Sequence, residues 1–259
     1  MRIIFLLLLA VSSQQVFAFG QTGHKMICDM AYQLSQPQTQ AHIDNLVQTS
    51  GLDSFAEGCV WPDTIRNDDG FKWSSPLHYV NFPRHKSTIS HSDCAQQGCV
   101  LSAIDDMQRR LSHDAYDWQA LMFLAHFIAD LHQPLHVSFA DDLGGNKTEV
   151  SFYLQPTNLH SVWDSRILAK LGYNDNRIKQ QQLLHAIDSR QAYQWQQTDA
   201  LAWANESAAI TTHIYAQYQP NMQLADTYVQ QNQAKIEMRI QQAAVRLAFI
   251  LDQAFNYRP

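Results

Sequence analysis

Leu121, Leu124, Phe127, Ile128 and Leu131 recur at three- and four-residue intervals, the apolar stripe of a helix that buries one face. The stripe predicts a helix over Asp117 to His132, and similar spacing predicts helices over Gln21 to Leu34 and Ser102 to Arg110. Toward the C-terminus Val229, Ile236, Ile240, Ala243, Leu247 and Ile250 keep this period in a long segment ending at about Phe255. Only residues 144–154, GGNKTEVSFYL, read as extended. There Val150, Phe152 and Leu154 alternate behind two glycines, which predicts a small β-hairpin. The pattern is that of a mainly α fold.

The first eighteen residues, MRIIFLLLLAVSSQQVFA, follow a different rule. One basic residue (Arg2) precedes an apolar run from Ile3 to Val11, and Val16 and Ala18 flank Phe17 in a V-x-A cleavage pattern. The run is far short of the roughly 20 residues a membrane span needs. Residues 1–18 are therefore expected to be a signal peptide and residues 19–259 the working protein, secreted or periplasmic, with no membrane anchor after processing. By length the mature chain makes one domain or at most two, and no linker or internal repeat divides it. It is expected to be a single domain.

Export changes the reading of the cysteines. Cys28, Cys59, Cys94 and Cys99 are an even number in an oxidising compartment, and no C-x-x-C spacing suggests a zinc knuckle. Cys94 and Cys99 close a short loop in HSDCAQQGC and are expected to pair, leaving Cys28 with Cys59 by elimination. The formal net charge is −6, or −7 without Arg2, and no basic patch stands out. A protein that grips duplex nucleic acid by phosphate neutralisation would show one. Attraction for phosphate would have to come from elsewhere, and bound divalent metal could supply it.

Candidate ligands are present. In AHFIADLHQPLH, His126 and Asp130 lie four apart on one helix face, where imidazole and carboxylate together suit zinc. If helical geometry continued past Pro134, His136 would lie about 15 Å along the axis from His126, too far to share an ion. His160 and Asp164 repeat the four-residue spacing in NLHSVWDSRI and can partner His136 in a three-ligand site with positions open for water or substrate. One such pair alone would read as a surface ion pair or a cap. Two pairs and a third histidine favour metal. Asp63 in CVWPDTIR and His78 in PLHYVNF are polar residues in apolar settings, where burial demands a partner or a metal. His132 falls about 240° around the helix from His126 and is expected to face away from it.

Taken together, FGQTGH, CVWPDTIR, PLHYVNF, AHFIADLHQPLH and NLHSVWDSRI resemble the zinc-dependent S1/P1 nuclease family, whose fold is related to bacterial zinc phospholipase C. The resemblance implies a single-domain helical fold of that type and three zinc ions per chain. It assigns Asp63, His78, His126 and Asp130 to one ion, and His136, His160 and Asp164 to a second. The third falls to His24, Asp130 and the amino-terminal residue, through its α-amine and carbonyl oxygen. The family usually begins with Trp, where this chain has Phe19. Because backbone atoms would ligate, the change bears on packing rather than on ligand number.

The implied chemistry is hydrolysis of single-stranded RNA and DNA to 5′-phosphorylated products, with removal of 3′-phosphate from nucleotides as a possible second activity. Asp63 would orient the attacking water, and Arg66, one helical turn on, would hold charge on the phosphoryl group. A solvent-facing salt bridge is the alternative for Arg66. Tyr79 and Asn81 follow His78, and on an extended segment they share one face, a ring to stack on a base and an amide to read its edge. The alternative for Tyr79 is a core aromatic. No protein partner is expected. Two other functions fit the same residues: a zinc phospholipase C, against which stand Asp164 where Glu is expected and the Tyr79–Asn81 pair, and a non-catalytic zinc-sequestering protein, which needs closed ligand shells. Asn146-Lys147-Thr148 and Asn205-Glu206-Ser207 match the glycosylation acceptor pattern, without deciding whether glycans are present.

Overall fold

A computed structural model describes residues 19–256, so the expected signal peptide lies outside the described residues. The first helix, α1 (Gly20–Leu34), turns Met26, Ile27, Met30 and Ala31 inward. Pro37, with its φ already set for a helix and no N–H to lose, opens α2 (Pro37–Ser50). The Ser54 hydroxyl then accepts the Glu57 N–H and caps α3 (Phe55–Ile65). A disulfide between Cys28 and Cys59 ties α1 to α3. Cys94 and Cys99 are likewise bonded, just before α4 (Val100–His113).

At the centre lies α5 (Trp118–His132), capped by the Asp117 carboxylate on the Ala120 N–H. Every residue from Ala120 to His132 is buried, so this helix is covered on all sides. The apolar stripe therefore marks only part of its buried surface, and the polar residues outside the stripe, His126, Asp130 and His132, are buried as well. The helices α1, α3 and α4 pack against it.

Two short strands, β1 (Val80–Phe82) and β2 (Val137–Phe139), pair in parallel with Asn81 opposite Ser138. Each follows a candidate ligand, His78 or His136, so this ladder brings distant segments side by side. The expected hairpin forms later than its glycines suggested: β3 (Glu149–Phe152) turns at Tyr153 and Leu154, both at positive φ, and returns as β4 (Gln155–Asn158). Gly144 and Gly145 precede it and serve the site instead.

Next, α6 (Leu159–Ser161) runs through a wider π-type turn at Val162–Arg166 into α7 (Ile167–Lys170). Two short helices, α8 (Arg177–His185) and α9 (Ser189–Trp195), lead to α10 (Ala200–Ala216). A final strand, β5 (Gln223–Leu224), adds in parallel to β3, and α11 (Asp226–Asn256) closes the chain against α1 and α5. The fold is mainly α, as the periodicity predicts. Among the described residues no helix is long and apolar enough to cross a membrane.

Behind α5, Arg239 and Arg246 of α11 are fully buried, and both reach Glu206 of α10, at 2.5 and 2.6 Å. Arg246 Nη1 also donates to His132 Nε2 at 2.9 Å, while His132 Nδ1 donates to the Ile128 carbonyl. Burial and the two guanidinium charges hold His132 well below the usual imidazole range, so the ring is neutral and accepts from Arg246. His132 thus faces away from His126 toward a buried charge network that no sequence spacing marked.

Candidate metal centre

Eight of the nine candidate positions come together, drawn from five segments of the chain. His24 is on α1, Asp63 on α3, His78 just before β1, His126 and Asp130 on α5, and His136 just before β2. His160 sits on α6, and Asp164 lies in the π-type turn, whose wider winding leaves its Oδ2 3.1 Å from His160 Nε2. These eight side chains are all buried. They form three groups with mutually close ligand atoms: His24, His126 and Asp130; Asp63, His78 and His126; His136, His160 and Asp164. Phe19, the ninth, is buried one turn before His24, and its carbonyl accepts the Gly23 N–H at 3.0 Å.

The histidine rings are oriented by the backbone. Nδ1 of His24, His126, His136 and His160 lies 3.1, 2.7, 2.6 and 2.7 Å from the carbonyls of Gly20, Cys59, His78 and Gly144 respectively. A carbonyl only accepts, so each Nδ1 must carry the proton, and a neutral ring then presents its Nε2 lone pair to the cluster. His78 is reversed: its Nδ1 faces the cluster, 2.9 Å from both Asp130 Oδ2 and His126 Nε2.

This arrangement fits a cation. Nε2 of His24 and His136, Oδ1 of Asp130 and Oδ2 of Asp164 are buried with no hydrogen-bond partner among the described residues. Lone pairs of His126 Nε2 and His78 Nδ1 meet at 2.9 Å, which is repulsive unless a proton or a metal lies between them. Without metal, the cluster takes the proton. Burial depresses His126, but the Asp130 and Asp63 carboxylates outweigh it and push the ring up to about 9. Burial also opposes charge on Asp130, yet His126 and His136 hold its carboxyl well below the usual range. Burial wins at His78 and His136, which are lowered, whereas Asp164 raises His160 against the burial effect. Closely spaced nitrogen and carboxylate donors of this kind compete for protons or bind a borderline-soft divalent metal.

Beside the cluster is an open pocket floored by His78, His136 and His160 and walled by Arg66, Tyr79, Asn81, Leu143 and Asn146. Arg66 Nη1 donates to Asp63 Oδ1 at 3.2 Å and keeps a quarter of its side chain in solvent. The Tyr79 ring is 42% exposed, so it is a pocket wall rather than a core aromatic. Tyr79 is extended and leads into β1, so the alternation expected for residues 79 and 81 is present.

Sequence spacing missed Gln133, which is fully buried, donates to Asp164 Oδ1 and accepts the Leu135 N–H. A lone amide between His132 and Pro134 was its only signal. Both glycosylation patterns are engaged by the fold. Thr148 donates to Asp142, and Asn205 donates to the carbonyls of Ile89 and Leu201.

Comparison with known proteins gives the family. The S1/P1 Nuclease family model matches residues 19–256. Endonuclease 4 of Arabidopsis thaliana is 32% identical over 273 residues, covering 93% of this chain and 90% of that protein. Endonuclease 3 of the same plant is 29% identical over 99% of this chain and 95% of its own length. Nuclease P1 of Penicillium citrinum is 30% identical over 89% of this chain and 95% of its own. The segments that carry the candidate ligands all lie within the matched span, and the chain belongs to the S1/P1 nuclease family, as a nuclease that hydrolyses phosphodiesters.

Proposed function

We propose that the protein is an exported endonuclease that holds three zinc ions and cuts single-stranded RNA and DNA to 5′-phosphorylated products, with 3′-nucleotidase activity at the same centre. The observation that carries this reading is the convergence of unpartnered imidazole nitrogens and carboxylate oxygens on the floor of a pocket walled by an exposed ring. Asp63, His78, His126 and Asp130 would hold one ion. His136, His160 and Asp164 would hold the second, and His24, Asp130 and the amine and carbonyl of Phe19 the third. When bound, zinc supplies Lewis acidity to phosphoryl oxygens and lowers the pKa of water.

The chain's own residues do the rest. Asp63 orients the attacking water, and Arg66, already beside Asp63, donates to the phosphoryl oxygens as their charge grows. Water adds to phosphorus as the bond to the 3′-oxygen breaks, leaving phosphate on the 5′ side. Tyr79 stacks on a base and Asn81 hydrogen-bonds its edge. Stacking needs an unpaired base, which favours single strands over duplex. Two disulfides suit an oxidising compartment and support export.

The test is metal analysis of the mature protein together with release of acid-soluble nucleotide from single-stranded and duplex substrates. Three zinc ions, single-strand preference, loss with chelator and recovery with zinc are expected. Release of phosphocholine from phosphatidylcholine without nucleotide release would reassign the chain to lipid hydrolysis. Full metal occupancy with no turnover on either substrate would make it a zinc store.

A further inference from the structure

Asp142 is a buried carboxylate outside the candidate ligand set. We propose that it is the positioning residue for His160, acting through the single peptide unit that joins Gly144 to Gly145. Its Oδ1 accepts the Gly145 N–H at 3.1 Å, and the carbonyl of that same peptide, Gly144 O, accepts His160 Nδ1–H at 2.7 Å. A trans peptide is planar, so its N–H and C=O point in opposite directions as one rigid body. A carboxylate on the N–H therefore sets where the carbonyl points and polarises it into a stronger acceptor. His160 Nδ1 keeps its proton, and Nε2 presents its lone pair toward Asp164 and His136. Metal-binding histidines commonly receive this support from a carboxylate placed directly on the distal nitrogen. Here a peptide stands between the two.

The segment is built for this relay. Gly144 and Gly145 have φ of +66° and +87°, and a Cβ on Gly144 would lie 2.5 Å from the Leu135 carbonyl. The Gly145 carbonyl also accepts the His160 backbone N–H at 3.3 Å, so successive carbonyls hold the residue at two points. A turn anchor would need only Oδ1 of Asp142. Its Oδ2 instead receives Thr148 Oγ1 at 2.6 Å and Tyr215 Oη at 2.5 Å, and Arg84 Nη2 lies 3.8 Å away. Tyr215 comes from α10 and Arg84 from the loop after β1, so elements remote in sequence fix the carboxylate that faces the peptide.

The inference rests on the proposed metal site at His136, His160 and Asp164, and its test separates the two. Metal-free mature protein is titrated with cobalt(II), whose visible absorption reports occupancy and ligand geometry, and the component lost in His160→Ala identifies the equivalent concerned. In Asp142→Ala that equivalent should weaken 10–100-fold while the others and the melting temperature hold. The same variant loaded at saturating zinc should lose kcat more than it changes KM. Equal affinity in wild type and Asp142→Ala overturns the inference, as does a uniform weakening of every equivalent with a fall in melting temperature. If Asp142→Ala does not fold, Tyr215→Phe, which keeps the ring against Phe139, is read in its place: selective weakening supports the relay and unchanged affinity overturns it. A wild-type chain that takes up no metal at this position removes the metal-site reading and the inference together.

Discussion

His136 Nδ1 lies 3.6 Å from Asp130 Oδ1, although the helix that carries Asp130 ends between them at His132. Extrapolating the helix would carry His136 away from the His126–Asp130 pair. A tight turn at Pro134–His136 brings it back. Asp130 consequently has four rings around it, with His24, His78 and His126 at 3.3, 2.9 and 3.1 Å. The three candidate metal groups therefore adjoin one another around Asp130.

Asp130 is the carboxylate common to these contacts, so Asp130→Asn is expected to release two zinc ions and to lower kcat by on the order of 10²–10³ or more. His160→Ala should release one and do less damage. Metal content by mass spectrometry alongside single-strand turnover measures both. An Asp130→Asn protein with three zincs and near-normal turnover would remove the bridging assignment.

Tyr79 is exposed at the pocket wall and belongs to none of the three ligand groups. Tyr79→Ala should raise KM for single-stranded substrate by the equivalent of about 1–3 kcal/mol of stacking, with zinc content unchanged. The comparison that decides it uses a phosphate ester lacking a base. An equal loss on that ester would mean that the ring does something other than stack.

Glu206 is the carboxylate shared by two buried guanidinium groups, and burial of Arg239 already pushes that residue down to about 10. Removing the carboxylate should cost toward the low end of roughly 3–5 kcal/mol, since about a third of the Glu206 side chain still meets water. Burial opposes ionisation of Glu206, but Arg246 and Arg239 outweigh it and hold its pKa below the usual 4.5. Its contribution is therefore complete above pH 4.5 and is lost as pH falls through the depressed value. Thermal melts should show Glu206→Gln less stable at pH 7 and the gap from wild type narrowing in acid. A constant gap down to pH 3 would exclude the linkage.

Phe19 has φ +41°, in the left-handed region. With a residue before it this conformation costs about 1–2 kcal/mol, because the preceding carbonyl crowds the side chain. A free amino terminus has no preceding carbonyl and escapes that cost, and its reference pKa of about 7.7–8.0 allows metal to displace its proton near neutrality. A chain with extra residues before Phe19 is expected to bind two zincs and hydrolyse poorly, then to gain the third ion and activity once they are cleaved off. Equal zinc and equal activity before and after cleavage would show that the terminus is not a ligand.

Much of this protein is readable from local sequence. The stripe of α5, the long period of α11 and the four-residue spacing His126–Asp130 depend only on 3.6-residue winding, which the chain carries wherever it folds, whereas His160 and Asp164 keep the same spacing but meet across a π-type turn. Helices such as α2 and α10 were not legible in this way. Burial along α2 is confined to Thr39, Ile43 and Leu46, and α10 mixes its buried residues with exposed alanine and threonine. Tertiary structure alone decided the rest. The parallel β1–β2 ladder sets the segment of His78 beside that of His136, 58 residues apart, and so aims His136 Nδ1 at the His78 carbonyl. Gln133 reaches Asp164 and Asp142 is held by Tyr215, partners far away in sequence, and Arg239 and Arg246 look like surface residues until α10 closes over them. The physical reason is range. Periodicity reports which face of an element is apolar, whereas a ligand shell and a buried ion pair depend on angles and distances between elements, which exist only after packing.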